Sequence, residues 1–541
     1  MIISKLRTAP IFAATILLMA KSVCPASLIN AASGSFVDVS NAVATAPAGS
    51  IVLIPPGTNV WTQTLNLNNG VSIKGSGTNQ TVIIDEESRA NNGGQIFILA
   101  GNPNCLTELS NLQLCGGVTN TSYNYFGSVV CSVTANASWR VDHVLFNGLY
   151  AKNIVTYGSA YSVIDHNIFL MKGEGVVDNG YVNGDQLGDQ SYVLPPTYGQ
   201  NSSGQNIASA LYIENNFFTN IIGAPAGVCD GEEGARVVFR YNTVWNDFFA
   251  NHGTETGGRW RSERSFEVYG NTFNYSPSAN GYPYYTIADI RGGSGVIFSN
   301  TANGYTSIVA LRNFRSTDAY CAQWYPFCGA NGTNPWDSNS PTLYLSGTSS
   351  APNGSSYLQV SGANWTNNQW VGYTLFNTNN LAGYTVSTTN SYFSVVNSNS
   401  ANTMYYLGTG LVQSHAPMTF NTGDHFKLYF VYATLDQPGR GSGDLLRDNG
   451  QDSNGNELVI NTATGIASWP REVLEPFYCW SNTLNGALTD IASPYPGIQS
   501  GRDFYNDTPK PNYTPFSYPH PLAAIHQLAP PVGFAVATNA P

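Results

Sequence analysis

Gly49-Ser-Ile-Val-Leu-Ile-Pro-Pro-Gly57, Leu65-Asn-Leu67, Val71-Ser-Ile-Lys-Gly-Ser-Gly77 and Thr81-Val-Ile-Ile84 are brief apolar runs parted by Gly, Asn and Pro. Each reads as a strand too short to stand alone, followed by a turn. A solenoid of such strands must repeat its inward and outward positions coil after coil, and downstream segments do. Val141-Asp-His143 aligns with Ile164-Asp-His-Asn167, Ile213-Glu-Asn-Asn216, Phe239-Arg-Tyr-Asn242, Val268-Tyr-Gly-Asn271 and Ile297-Phe-Ser-Asn300, at offsets of 23, 49, 26, 29 and 29 residues. The offset of 49 leaves room for two coils or one long excursion. In this register Val141, Ile164, Ile213, Phe239, Val268 and Ile297 form one inward column by period-2 alternation. The asparagines at 167, 216, 242, 271 and 300 form a turn ladder, because stacked amides satisfy one another between coils roughly 4.8 Å apart.

Composition agrees. Only 10% of the 541 residues are charged, while Gly (54) and Tyr (32) are abundant, a mix that favours strands and tight turns over helices. The net charge of −11 argues against a general nucleic-acid binder, whose affinity rests on neutralising phosphates. The opening Val52-Leu-Ile-Pro-Pro-Gly57, Val71-Ser-Ile-Lys-Gly-Ser-Gly77 and Thr81-Val-Ile83 closely resemble the first coils of the pectate-lyase-like superfamily. That resemblance implies an all-β, right-handed parallel β-helix and does not extend to a catalytic signature.

Lys5 and Arg7, a largely apolar run from Ala9 to Ala20 and small residues at Ala26, Ala31 and Ala32 have the layout of a secretory leader. Residues 1–32 are assigned to it, and secretion is expected; no later run is long enough to span a membrane. Residues 33–340 are assigned to the β-helix. Between 341 and 430 the asparagine register is lost, and a small inserted β-module is expected. Residues 431–522 resume the helix, from Leu435-Asp-Gln-Pro-Gly-Arg440 on, and end in a Pro- and aromatic-rich cap over the last coil. Residues 523–541 form a tail. In an oxidising compartment the spacings of Cys105 with Cys115 and Cys321 with Cys328 suggest loop-closing disulfides, and no C-x-x-C pairs accompany them to suggest zinc.

Eight of the fifteen arginines fall between Arg236 and Arg315, and no lysine occurs between Lys172 and Lys427. A guanidinium fork binds carboxylate or sulfate through two contacts, so this field suits an acidic extracellular polysaccharide. The dense part is His252-Gly-Thr-Glu-Thr-Gly-Gly-Arg-Trp-Arg-Ser-Glu-Arg264. In a lyase a base removes the proton α to a uronate carboxylate while a cation takes up the enolate charge. His252, Arg259 and Arg261 are the candidates for that chemistry. Arg240, Glu255, Trp260, Arg264, Arg312 and Arg315 are candidate substrate contacts, and Asp230, Glu232 and Glu233 a candidate Ca²⁺ cluster, since hard cations take carboxylate oxygens. Trp324, Phe327 and Trp336 are further candidates for stacking on sugar rings or for packing. The outward column Asp142, Asp165, Glu214, Arg240, Tyr269 and Phe298 reads either as a ladder of ion pairs or as part of a sugar groove. In the second case Asp165 and Glu214 would be paired carboxylates of a glycoside hydrolase on the same scaffold. A non-catalytic adhesive protein is the third reading.

Overall fold

The computed structural model describes residues 27–89, 94–102, 104–132, 138–158, 162–179, 210–222, 227–232, 234–252, 262–276, 286–312, 343–371, 373–379, 393–406, 418–429, 437–439, 442–444, 460–461, 466–467, 471–473, 475–490 and 498–524. Its core is a right-handed parallel β-helix with three faces. The first face contains, among others, Ser162–Asp165, Leu211–Glu214, Arg236–Arg240, Ser265–Tyr269, Ser294–Phe298 and Phe477–Trp480. The second contains Ile168–Met171, Phe217–Asn220, Thr243–Trp245, Thr272–Asn274 and Thr301–Asn303. The third is a separate nine-stranded sheet from Leu65–Leu67 to Ser307–Leu311.

The inward column is as the sequence predicts. Val141, Ile164, Ile213, Phe239, Val268 and Ile297 pair in succession and are fully buried. Ile164 pairs directly with Ile213, so the offset of 49 is one coil carrying a long excursion. The column continues to Cys479, which pairs with Ile297. On the second face Phe146, Phe169 and Phe218 stack with centroids 4.5 and 4.4 Å apart.

Between the first two faces each coil turns through one residue of positive φ, among them His166, Asn215, Tyr241, Gly270 and Ser299. Every side chain but hydrogen pays a steric penalty there. The asparagine that follows makes the turn tolerable: Asn167, Asn216, Asn242, Asn271 and Asn300 each donate Nδ2 to the Oδ1 of the next, at 3.0–3.1 Å within this run and 2.9 Å from Asn300 to Asn482. Asp490 ends the ladder, accepting from the Ser481 and Asn482 amides and from Asn482 Nδ2.

A helix closes the N-terminal end, which the all-β reading did not foresee. Phe36–Thr45 starts at Ser35, whose Oγ accepts from the Asp38 amide at 3.2 Å. Phe36, Val39 and Val43 lie on one helical face against the core, and Phe36 meets Trp61 edge-on.

Before this helix, Leu28–Asn30 already forms the first strand, paired with Ile51–Leu53, and the Ile51 amide donates to the Ser27 carbonyl at 2.8 Å. A leader reaching to residue 32 would take this strand with it, so the expected boundary moves back to Ala26. On the expectation of export the chain should begin at Ser27, and intact-mass measurement finding a start at Ala32 or later, or retained Met1, would refute it.

Six antiparallel strands between Leu343 and Tyr429 form a separate sheet with its own core of Leu358, Leu375, Val396, Met404, Phe420 and Leu428. Among the described residues parallel pairing resumes in Phe477–Trp480, and Leu435 lies outside them. The described residues between Tyr429 and Phe477 include two short antiparallel strand pairs, Ser442–Asp444 with Arg471–Val473 and Ile460–Asn461 with Ile466–Ala467.

The C-terminal segment differs from expectation too. Phe504–Asn506 adds one more parallel strand. From there the chain turns back and runs as a strap along the outside of the first face, ending in a short 3-10 helix, Pro521–Ala524, against Ser162–Asp165. It therefore covers a flank of the helix as well as its end. Cys115 is a free thiol receiving Gln113 Nε2 at 2.7 Å, so the expected Cys105–Cys115 bridge is not formed. Cys321 and Cys328 lie outside the described residues, as do Trp324, Phe327 and Trp336.

Candidate functional site

On the third face, alternation sends Cys229 inward, Asp230 outward, Gly231 inward and Glu232 outward. On the next coil Ala250 stands beside Asp230, and the His252 amide donates to the Gly231 carbonyl at 2.9 Å, carrying the register one residue beyond the strand Phe249–Asn251. Two further coils repeat the pattern. Asp289 pairs with Ala250 and with Ala310, and the Arg312 amide donates to the Ile290 carbonyl. His252, Arg291 and Arg312 are thus the first residues past the ends of three neighbouring strands, and with Glu232 they form one outward column.

Carboxylates at the outward position two residues earlier in the register hold these side chains. Asp230 Oδ2 is in close contact with His252 Nδ1, and Glu232 Oε2 lies 3.8 Å from the same nitrogen. Asp289 Oδ1 accepts from Arg312 Nε at 2.7 Å, and its Oδ2 lies 3.6 Å from Arg291 Nη2. A proton on Nδ1 facing Asp230 would leave the Nε2 lone pair as the basic atom. His252 keeps 18% of its side chain exposed and Arg312 43%, while Asp230 and Asp289 are buried. A buried carboxylate behind a partly exposed imidazole is the arrangement that orients a general base and stabilises it once protonated.

Beneath this surface Asn251 accepts the Arg291 amide at 2.7 Å and donates to the Gly292 carbonyl, fixing the backbone from which Arg291 projects. Gly231 is required by its neighbour, since a Cβ there would lie 2.6 Å from Glu263 Oε1. Burial pushes the Glu263 carboxyl well above the ordinary range, and Asp178 and Asp230 reinforce the shift. Lys152 pairs with Glu174 at 3.1 Å. Against the opposing effect of burial, Glu174, Glu232 and Asp230 hold its pKa above the usual value.

Of the residues predicted from sequence, His252, Asp230, Glu232 and Arg312 are brought together. Asp289, Arg291 and Lys152 were missed: no asparagine ladder marks register on the third face, so nothing local assigned them to it. Glu233, Glu255, Arg259, Trp260, Arg261 and Arg315 lie outside the described residues. Those at 255–261 belong to the segment that leaves from His252 and returns at Ser262, which bridges to Glu232.

Two predicted substrate contacts are corrected. Arg240 is fully buried on the first face. It donates to Glu214 Oε2 at 2.7 Å, to Tyr269 Oη at 2.9 Å and to the strap carbonyls of Phe516 and Ser517 at 2.8 and 2.9 Å. Arg264 is also fully buried and donates to Glu475 Oε2 at 2.6 Å. Both hold protein segments together, so neither is open to a sugar.

Of the expected Ca²⁺ cluster, Glu233 lies outside the described residues. Asp230 and Glu232 face an imidazole, whereas Ca²⁺ takes roughly six to eight oxygens. Among the described residues no group of three His, Cys, Asp or Glu side chains is arranged to hold a metal ion.

The outward column of the first face is ion-paired at its acids and at Arg240 and continues as an aromatic stack of Tyr269, Phe298 and Trp480. Arg140 grips Asp165 with Nε and Nη2 at 2.8 and 2.7 Å and reaches Glu108 at 3.2 Å. Asp165 and Glu214 are fully buried, which removes them as an open hydrolytic pair.

The chain matches no family profile and no curated protein sequence. Among solved structures it is similar to an alginate lyase from Paenibacillus sp. str. FPU-7, at 12% identity over 53% of this chain and 81% of that one, with a TM-score of 0.30. It is also similar to the PL6 family polysaccharide lyase Pedsa3628 from Pseudopedobacter saltans, at 13% identity over 52% and 65% of the two chains, TM-score 0.28. A Geobacillus virus E2 protein, ORF18, aligns at 11% identity over 53% and 57%, TM-score 0.23.

Proposed function

We propose that this chain is a secreted polysaccharide lyase acting on an acidic extracellular polysaccharide. The observation that carries the reading is the outward column on the third face, where an Asp-paired imidazole stands beside two guanidiniums on successive coils. In this reading His252 Nε2 takes the proton α to a uronate carboxylate. The C–H electron pair forms the new C=C bond, the glycosidic C–O bond breaks, and the leaving oxygen takes a proton from solvent. Asp230 holds the imidazole and stabilises it as imidazolium, while Arg291 and Arg312 neutralise the carboxylate as negative charge develops on it.

The test is a panel of acidic polysaccharides assayed for both unsaturated-product absorbance and reducing ends. With a responsive substrate, His252→Gln should lower turnover by about 10²–10⁴, the usual contribution of a general base, with an unchanged melting temperature. Turnover by His252→Gln equal to the parent's would overturn the assignment. Reducing ends without unsaturated product would replace elimination by hydrolysis.

A further inference from the structure

The inserted module differs in surface chemistry from the helix that carries it. Between residues 341 and 430 the sequence holds one acid, Asp424, and one lysine, Lys427, with no arginine or glutamate. Asp424 is buried, accepting from Asn377 Nδ2 and from the Asn421 amide. The Arg field of the third face thus has no counterpart here.

On the strands Tyr357–Gln359 and Thr403–Tyr406, Leu358 and Met404 pair and point into the module's core, both fully buried. Alternation turns their neighbours outward, and Tyr357 pairs directly with Tyr405. The two rings lie 5.9 Å apart, inclined by 49°, with Tyr405 49% exposed. Gln359 follows Tyr357 two residues on, on the same side, and Ser398 pairs with Tyr405 across the next strand. Among the described residues Tyr357–Gln359 is the last strand of this sheet. An exposed tyrosine beside a half-buried one, bordered by an amide and a hydroxyl with no formal charge beside them, matches a pyranose ring, which offers C–H groups to the rings and hydroxyls to the polar rim.

We infer that Tyr357 and Tyr405 form a binding platform for a neutral polysaccharide, separate from the site on the third face. The partner class rests on the carbohydrate reading proposed above, but the platform needs no catalysis. With no charge to contribute long-range attraction, binding should vary little with salt.

The test is affinity electrophoresis of the full chain in gels containing a neutral β-glucan, a galactomannan or polygalacturonate, with His252→Gln, Tyr357→Ala and Tyr405→Ala beside the parent. The expected result is retardation by a neutral polysaccharide, equal for the parent and His252→Gln, and weakened about tenfold in each tyrosine variant with unchanged melts. Retardation undiminished in both tyrosine variants, no retardation by either neutral polymer, or tyrosine-dependent retardation by polygalacturonate alone would each overturn the inference. Loss of retardation in the tyrosine variants together with no cleavage of any acidic polymer would sustain the platform while the lyase reading fails.

Discussion

Replacing Arg240 by Met should destabilise the folded chain by roughly 3–5 kcal/mol, the usual result of leaving a buried charge without its partner. Glu214 is fully buried and would lose the guanidinium whose Nη2 lies 2.6 Å from it. The Phe516 and Ser517 carbonyls would lose their donors. The guanidinium also stands 5.2 Å from the ring of Tyr212 and 5.4 Å from that of Tyr518, so a cation–π contribution goes with it. The double variant Glu214→Gln with Arg240→Met removes both charges and should recover part of the loss. Denaturant titration measures the stability, and limited proteolysis near residues 507–524 reports release of the strap. A single variant within about 1 kcal/mol of the parent would show that the pair is not what holds the strap.

Asn242→Leu should be costly, because it removes a rung from the middle of the turn ladder. Asn242 Oδ1 accepts from the Asn216 amide and Nδ2 at 2.9 and 3.1 Å, and its own Nδ2 donates to the Ile213 carbonyl and to Asn271 Oδ1. Leucine leaves the Asn216 amide and the Ile213 carbonyl buried without these partners, at about 1–3 kcal/mol for each orphan. Asn303 serves as a control, since its amide makes a comparable bond to Asn274 Oδ1 at 3.0 Å but in an exposed position. Asn303→Leu should change stability by no more than about 0.5 kcal/mol. Equal midpoints for the two variants would mean that the ladder is decoration.

These two variants also mark how far the sequence could be read. The ladder was legible because Asn recurs at one place in each coil, three residues after an inward apolar residue, so local pattern and global fold coincide. The role of Arg240 was hidden, because an arginine at an outward strand position reads as surface until another segment covers it, and no local signal announced the strap. The N-terminal helix was missed because Ser35 and Asp38 signal a cap over only a few residues, amid a composition that favours strands. At the candidate site the cluster of Asp230, Glu232 and His252 was legible from Asp and Glu one coil before His. Its roles were mixed, however: the acids assigned to a cation pair with the imidazole assigned to catalysis. Asp289 and Arg291 join them only through third-face register.

The strap fixes an order of events in folding. Its bonds join residues 276 and 306 positions apart, Arg240 to Phe516 and Glu214 to the His520 amide. Stacking of the coils up to Ser294–Phe298 needs only neighbours within about 50 residues, whereas this seal requires closing a loop that holds more than half of the chain, and such long-range contacts are slow to form. The coils can therefore assemble while the ion pairs of the first face still meet water, and only arrival of the last residues turns those charges into interior. A chain stopped short of residue 516 should retain a stacked helix whose first face remains wet and protease-sensitive. The C-terminus, which contributes almost nothing to the repeat, thereby determines when the flank of the molecule becomes native.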